Sequence, residues 1–286
     1  MSRPGVLACG RHRLALDRVR IMGVLNVTPD SFSDGGEFRT REAAVARATT
    51  MHHEGADIID VGGESTRPGA APVSEKEELD RVLPVLEALV REPALADTPI
   101  SVDTRKPGVM RAAIAAGASM INDVAALRAR GAIEAVAQSG VAVCLMHMQG
   151  TPATMQQAPE YVDVVSEVRA FLAERARACT GAGISHERIV VDPGFAFGKR
   201  RAHNVALLRH LEALCSLGFP VLCGLSRKGV IEEQRQPRAA DRLAASIAAM
   251  LAAVARGAAI VRVHDVRETA DALRVWSIAM DRGRDA

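Results

Sequence analysis

Apolar residues in this chain follow two rhythms. Short runs rich in Val and Ile fall at residues 21–25, 57–61, 99–102, 119–121, 141–146, 188–191, 219–223 and 258–261. Most do not alternate with polar residues, the pattern of strands in a parallel sheet covered on both faces. Between them, apolar positions recur at the helical period: Tyr161, Val164, Val168 and Phe171; Val205, Leu208 and Leu211; Leu243, Ile247, Met250 and Val254; Val266, Ala270, Leu273 and Met280. Ser74, followed by Glu75 and Glu77, reads as a capped, acidic helix start. Residues 6–16, with turn chemistry at Gly10, predict a small hairpin ahead of the first long strand. Eight strands alternating with helices fit an α/β fold, a single (β/α)8 barrel, better than the alternative of an open doubly wound sheet. No linker-like stretch divides the chain, so one domain over 1–286 is expected, with the barrel proper at 20–282.

The strands share a second feature: each ends on polar residues. Residues 21–25 run apolar and then turn polar at Asn26, before Pro29, Gly35 and Gly36 break the pattern into a loop. The other strand ends carry Asp60, Asp103, Asn122 with Asp123, His147, Asp192, Ser226 with Arg227 and Lys228, and Arg262 with His264. In α/β barrels the chemistry sits at the C-terminal ends of the strands. Stability alone gives no reason for polar groups at every rim, whereas a polar, planar ligand does.

Composition narrows the class. The chain has 286 residues, 48% of them apolar and only 3% aromatic, so the core must come from Ala, Val, Leu and Ile. A net charge of +2 argues against a nucleic-acid partner. The five scattered cysteines lack a C-x-x-C pair, as expected of free thiols in a reducing compartment. The first residues carry no apolar secretory run, and the most apolar helix, 243–254, is too short for a bilayer. A cytoplasmic protein without a membrane or nucleic-acid partner is the expectation.

Individual motifs sharpen this. GGESTRPG at 62–69 could be an ordinary Gly/Pro loop, but its place after a strand ending in Asp60 favours a mobile loop that approaches a ligand. A single Asp at a strand end is more often a helix cap. Asp103, Asn122 and Asp192 at matching rims suit the donor edge of a guanine- or pterin-like ring instead. PGFAFGK at 193–199 has the wrong spacing for a phosphate-binding P-loop, with Arg200 where Ser or Thr is required. Its Phe195 and Phe197 read as loop anchors, one of them free to stack on a flat substrate. SRKG at 226–229 and Arg262 with His264 follow the last two strands, where barrel enzymes commonly bind phosphate, and their charges would suit a diphosphate. No histidine or cysteine spacing fits zinc. Magnesium needs only one protein oxygen when phosphates supply the rest, and Asn26 could be that oxygen.

Taken together, MGVLNVTPDSFSDGG at 22–36, DVGGESTRPG at 60–69, SVDT at 101–104, INDV at 121–124, DPG at 192–194, SRK at 226–228 and RVHD at 262–265 resemble the dihydropteroate synthase family. The resemblance runs in order over nearly the whole chain. It implies a (β/α)8 barrel that joins 6-hydroxymethyl-7,8-dihydropterin diphosphate to 4-aminobenzoate, releasing diphosphate and dihydropteroate. On that resemblance Asp103, Asn122, Met146, Asp192, Gly224 and Lys228 would line a pterin pocket. Asn26, Thr66, Arg262 and His264 would hold the diphosphate, with Mg2+ on Asn26. Phe32, Thr66, Arg67, Pro68, Phe197 and Ser226 would frame the aminobenzoate, a pocket that also suits sulfonamide mimics. Asp34, Asp103 and Lys228 would be the catalytic groups, the two carboxylates favouring a cation on the pterin methylene. A homodimer is implied as well, with helices 205–214 and 243–254 at its interface. Ala196, where the family often has glycine, and Arg200 are small departures. An inactive pterin-binding paralogue and a pterin-dependent methyltransferase domain are the competing readings; the first should have lost Asp34 or the basic motifs, which this chain keeps.

Overall fold

The computed structural model describes residues 5–27, 37–65, 71–228 and 242–280. The chain opens on strands β1 (Val6–Cys9) and β2 (His12–Ala15), an antiparallel hairpin turning at Gly10, whose φ of +59° suits glycine. The alternation then begins with β3 (Arg20–Asn26), α1 (Glu37–His53), β4 (Ile58–Gly62), α2 (Glu75–Arg91), β5 (Ile100–Asp103), α3 (Pro107–Ala115) and β6 (Met120–Asp123). It continues through α4 (Ala132–Ala137), β7 (Ala142–Met146), α5 (Val164–Gly181), β8 (Ile189–Asp192), α6 (Arg201–Arg209) and α7 (Glu212–Cys215). It ends with β9 (Leu222–Cys223), α8 (Leu243–Val254), β10 (Ile260–Val263) and α9 (Val266–Met280). As the pattern predicts, Ser74 caps α2, its hydroxyl accepting from the Glu77 N–H at 3.2 Å.

The sheet is parallel, in the order β8-β7-β6-β5-β4-β3-β10-β9. It closes where Val191 bridges Val221 and the Pro220 carbonyl accepts from the Val191 N–H at 3.0 Å. The described residues therefore form a (β/α)8 barrel. The strand predicted at 219–223 is reduced to two residues because Pro220 has no N–H for the ladder. The helix predicted through 205–214 breaks at His210 into α6 and α7. Tyr161 lies before its helix, because Asp163 accepts from the Val165 and Ser166 N–H groups and starts α5 there.

Two apolar layers hold the barrel. Outward residues such as Ile59, Val61, Val102, Ile121, Val143, Leu145 and Val191 pack under the helices in the larger core. Inward residues at the strand starts (Met22, Ile58, Met120, Ala142, Val190, Leu222 and Ile260) form a second core with Leu7, Cys9 and Leu16 of the hairpin region. The hairpin thus plugs the N-terminal end. Leu7 and Leu16, with almost no accessible surface, contribute about 1.5–3 kcal/mol each by burial. The five cysteines form no disulfide and, apart from half-buried Cys215, are buried. Among the described residues no helix is long and apolar enough to cross a membrane.

Candidate active site

With the lower half of the barrel filled by apolar side chains, the period-2 alternation of each strand carries polar residues into the upper half. Register sets Asn26 beside Gly62, Gly62 beside Asp103, and Asp103 beside Asn122. One step lower, Asp60 lies beside Ser101; on the far side, Met146 lies beside Asp192. Gly62 leaves a gap in this ring: a Cβ there would stand 3.7 Å from both Asn26 Oδ1 and Asp103 Cβ. Gly224 leaves another, where a Cβ would stand 3.7 Å from Lys228 Nζ and 4.0 Å from Arg262 Cβ.

The centre of the mouth is an ion array. Arg262, inward-facing on β10, donates from Nε to Asp60 Oδ2 at 2.6 Å and from Nη2 to Asp103 Oδ2 at 2.8 Å. Asn122 Nδ2 also donates to Asp60 Oδ2, at 3.1 Å. Asp60 Oδ1 and the buried Ser101 hydroxyl have no hydrogen-bond partner among the described residues. Buried polar atoms of that kind are ordinarily satisfied by water or a ligand.

Burial and charge set the protonation of these groups. Burial pushes the Asp103 carboxyl up to about 7, against the pull of Arg262 and with the help of the Asp60 charge. Asp192 is likewise raised by burial, although the Gly194 N–H donates to its Oδ1 at 2.7 Å. Burial lowers Lys228 to about 8, only partly offset by Asp192. Burial works against the charge of Arg262 too, but Asp60 and Asp103 outweigh it and hold the guanidinium protonated.

On the last two strands, the Ser226 hydroxyl lies 3.2 Å from both the backbone N and Nδ1 of His264. Arg227, paired with Asp265 at 2.5 Å and 3.1 Å, is tied down on the outer side. Lys228 reaches the other way, donating to the Phe195 carbonyl at 2.9 Å, with its Nζ 4.6 Å from the centre of the Phe197 ring. Phe195 is fully buried and anchors the loop, while Phe197 faces the mouth beside Met146 and Met148.

Besides Arg227, Asp123 and His147 at the strand ends do not join this cluster, which corrects the expectation that every rim group faces one cavity. Asp123 caps its own loop, accepting from the Ala125 and Leu127 N–H groups at 2.7 Å each. His147 is buried between Lys199 and the Phe171 ring. Both stand one residue out of step with Asn122 and Met146, and one step turns a side chain to the other face. Phe32, Asp34, Thr66, Arg67 and Pro68 lie outside the described residues. At the base of the loop after β4, Glu64 accepts from Arg105, Lys106 and the Val73 N–H, which ties that loop to the one after β5. Asp60 stands at a strand end in the sequence with no motif to mark it as a ligand group. Its alternation with Gly62 on an inward face was the signal that could have done so.

Ala196 has a φ of +73°, which accounts for a preference for glycine at this position. Gly194, at φ +67°, is more constrained, because a Cβ there would overlap the His147 carbonyl oxygen. Gly194→Ala is expected to cost more than the roughly 1–3 kcal/mol of left-handed strain alone. Urea denaturation checks this, and an unchanged midpoint would contradict it.

The family model of pterin binding enzymes matches residues 22–264. A dihydropteroate synthase of Neisseria meningitidis serogroup B is 52% identical over 278 residues, spanning 95% of this chain and 96% of the relative. The chain belongs to the dihydropteroate synthase family. The dihydropteroate synthase of Xanthomonas albilineans, solved with 4-aminobenzoic acid, superimposes with a TM-score of 0.90 at 55% identity, covering 98% of this chain and 99% of that one. The same enzyme solved with 7,8-dihydropteroate superimposes with a TM-score of 0.87 at 53% identity, covering 97% and 100%. Among the described residues no three His, Cys, Asp or Glu side chains gather as a metal site.

Proposed function

We propose that this chain is an active dihydropteroate synthase that condenses 6-hydroxymethyl-7,8-dihydropterin diphosphate with 4-aminobenzoate. The observation that carries the proposal is the convergence of the Asp60–Arg262–Asp103 array, Asn122, Asp192 and Lys228 on one barrel mouth. Carboxylates and an amide suit the N–H-rich edge of a pterin, and fixed cations suit a departing diphosphate. Asp103, Asn122, Asp192 and Lys228 hold the ring, with Met146 and Gly224 packed near it. Asn26, Thr66, Arg262 and His264 take the diphosphate. Phe32, Thr66, Arg67, Pro68, Phe197 and Ser226 enclose the aminobenzoate.

An arylamine is a weak nucleophile, so the main task of the protein is to stabilise the departing diphosphate in a site shielded from water. Arg262, held by two carboxylates, is preorganised for this and needs little rearrangement when charge builds on the leaving group. Asp34, Asp103 and Lys228 are the catalytic groups, with the carboxylates opposing positive charge on the pterin methylene. Magnesium fits the arrangement. Asn26 offers a neutral hard oxygen beside the gap left by Gly62, and diphosphate oxygens can supply the other ligands. Bound there, it would neutralise charge on the leaving group. A cytoplasmic location and a homodimer belong to the same proposal. The chain keeps both basic motifs and Asp34, as an active enzyme needs and a degenerate paralogue does not.

Formation of dihydropteroate from the two substrates, followed by chromatography with and without a chelator, tests the proposal. Chelation is expected to lower product formation at least ~100-fold, since Lewis-acid stabilisation is worth several kcal/mol. Product formed equally well in excess chelator would remove magnesium from the account.

A pH dependence follows from Asp103. If its ionised form receives the pterin, affinity should fall as pH drops below ~7 and level off within about tenfold, the loss expected for a neutral group at this position. Calorimetry between pH 5.5 and 8 reads this, and a flat affinity would contradict it. The stability contribution runs the opposite way. The folded protein holds this proton more tightly than the unfolded chain, so the stabilisation is complete at low pH and is lost as pH rises through about 7.

A further inference from the structure

We propose that Lys199, buried outside the barrel mouth, is a positioning residue that sets the aminobenzoate half of the site by fixing the loop between β8 and α6. The inference rests on the function proposed above and assigns a role to a residue that the reaction itself does not use.

Lysine is rarely buried without partners. Lys199 is 3% exposed, and its Nζ meets four acceptors. Two belong to its own loop, the carbonyls of Gly194 and Phe197, each at 3.0 Å. Two belong to the end of β7, the His147 carbonyl at 3.2 Å and His147 Nδ1 at 2.9 Å. Burial lowers Lys199 to about 7, and wherever its Nζ donates to Nδ1 the ring proton sits on Nε2. Burial, and then the Lys199 charge, push His147 down to about 3, so the ring stays a neutral acceptor. The ring is held edge-on against Phe171, with centroids 4.9 Å apart.

The two loop contacts bracket Phe195, Ala196 and Phe197, the segment that meets the site. Every carbonyl from Gly194 to Arg200 has a side-chain donor, supplied by Lys199, Lys228, Gln156, Tyr161 or Asn204. Of these carbonyls, the Phe195 oxygen is the one given to Lys228 of the mouth, and the Phe197 ring covers the same ammonium at 4.6 Å. A loop pinned at both sides of this segment holds the carbonyl and the ring in register with Lys228. Without the Lys199 ammonium, the Gly194, Phe197 and His147 carbonyls would be left buried without that donor, and the segment would have reason to shift. Asp103 and Asn122 stand on strands and bond no residue of this loop; Asp192 also stands on a strand, although its Oδ1 accepts from the Gly194 N–H at 2.7 Å.

Lys199→Met keeps most of the apolar stem and removes the donors. The expected result is a KM for 4-aminobenzoate raised at least about tenfold, with the calorimetric Kd for dihydropterin diphosphate, which depends on this loop only through Asp192 and Lys228, raised several-fold less. Lys199→Gln, which restores two N–H donors, should recover part of the loss. A purely structural lysine would lower the active fraction, and so kcat, and leave both KM values unchanged. That result would overturn the proposal, as would an equal loss for both substrates. Failure of both variants to fold would also overturn it, by assigning the residue to folding alone. Absence of dihydropteroate with the unaltered protein would instead count against the proposed function.

Discussion

Replacing Arg262 by methionine is expected to lower turnover by about three orders of magnitude and to make stability strongly pH-dependent. The guanidinium is the cation shared by Asp60, which is wholly buried, and Asp103, which is nearly so. Removing one partner of a buried ion pair ordinarily costs about 3–5 kcal/mol, because the charge left behind has no compensation. Here two carboxylates would be left facing one another. They would respond by holding a proton, which raises the folded-state pKa of the pair above the unfolded value. The folded variant then binds more protons than the unfolded chain near neutrality, so its stability falls as pH rises. Urea denaturation at pH 6 and pH 8 should show the larger deficit at pH 8. Turnover near that of the unaltered protein, or an equal deficit at both pH values, would contradict the account.

Asp103→Asn should separate catalysis from binding. Asparagine is nearly isosteric and keeps an acceptor oxygen, and Arg262 keeps Asp60 as a partner. Pterin affinity should fall less than about tenfold. Turnover should fall by about 100- to 1000-fold, the scale for removing one preorganised electrostatic group. The difference arises because a negative charge at this position matters most when a cation develops on the pterin methylene. Steady-state kinetics with calorimetry decide the point. Equal losses in affinity and turnover would show that Asp103 only binds.

Much of this arrangement was legible in the chain, for reasons that can be named. Strands buried on both faces read as short Val/Ile runs, so the barrel could be counted from residues 21 to 261. Polar groups at the ends of those runs marked the mouth, and the family resemblance supplied their roles. Strand limits were harder to read. The apolar runs at 119–121 and 258–261 end where polarity begins, whereas β6 continues through Asn122 and Asp123, and β10 through Arg262 to Val263. Asn122 and Arg262 face inward and stay in the ladder because partners across the barrel satisfy them, while Asp123 is satisfied by the N–H groups of its own loop.

That partner was what sequence could not give. Arg262 is separated from Asp60 by 202 positions and from Asp103 by 159, and no local pattern joins them. Strand phase was the second difficulty. His147 and Asp123 look equivalent to Met146 and Asn122 until a register decides which of each pair faces inward. Lys199 was the third. In sequence it ends PGFAFGK at 193–199 and precedes Arg200 and Arg201, and nothing local marks it as buried. Its burial depends on carbonyls turned towards it by Gly194 and by the end of β7.

The most direct test of the central claim is diphosphate release from 6-hydroxymethyl-7,8-dihydropterin diphosphate and magnesium, measured with and without 4-aminobenzoate. The account predicts release that depends on the arylamine and matches the dihydropteroate formed mole for mole. Tight binding of the pterin diphosphate with no release in either condition would contradict it, and would make the chain a pterin-binding paralogue of the synthases it resembles.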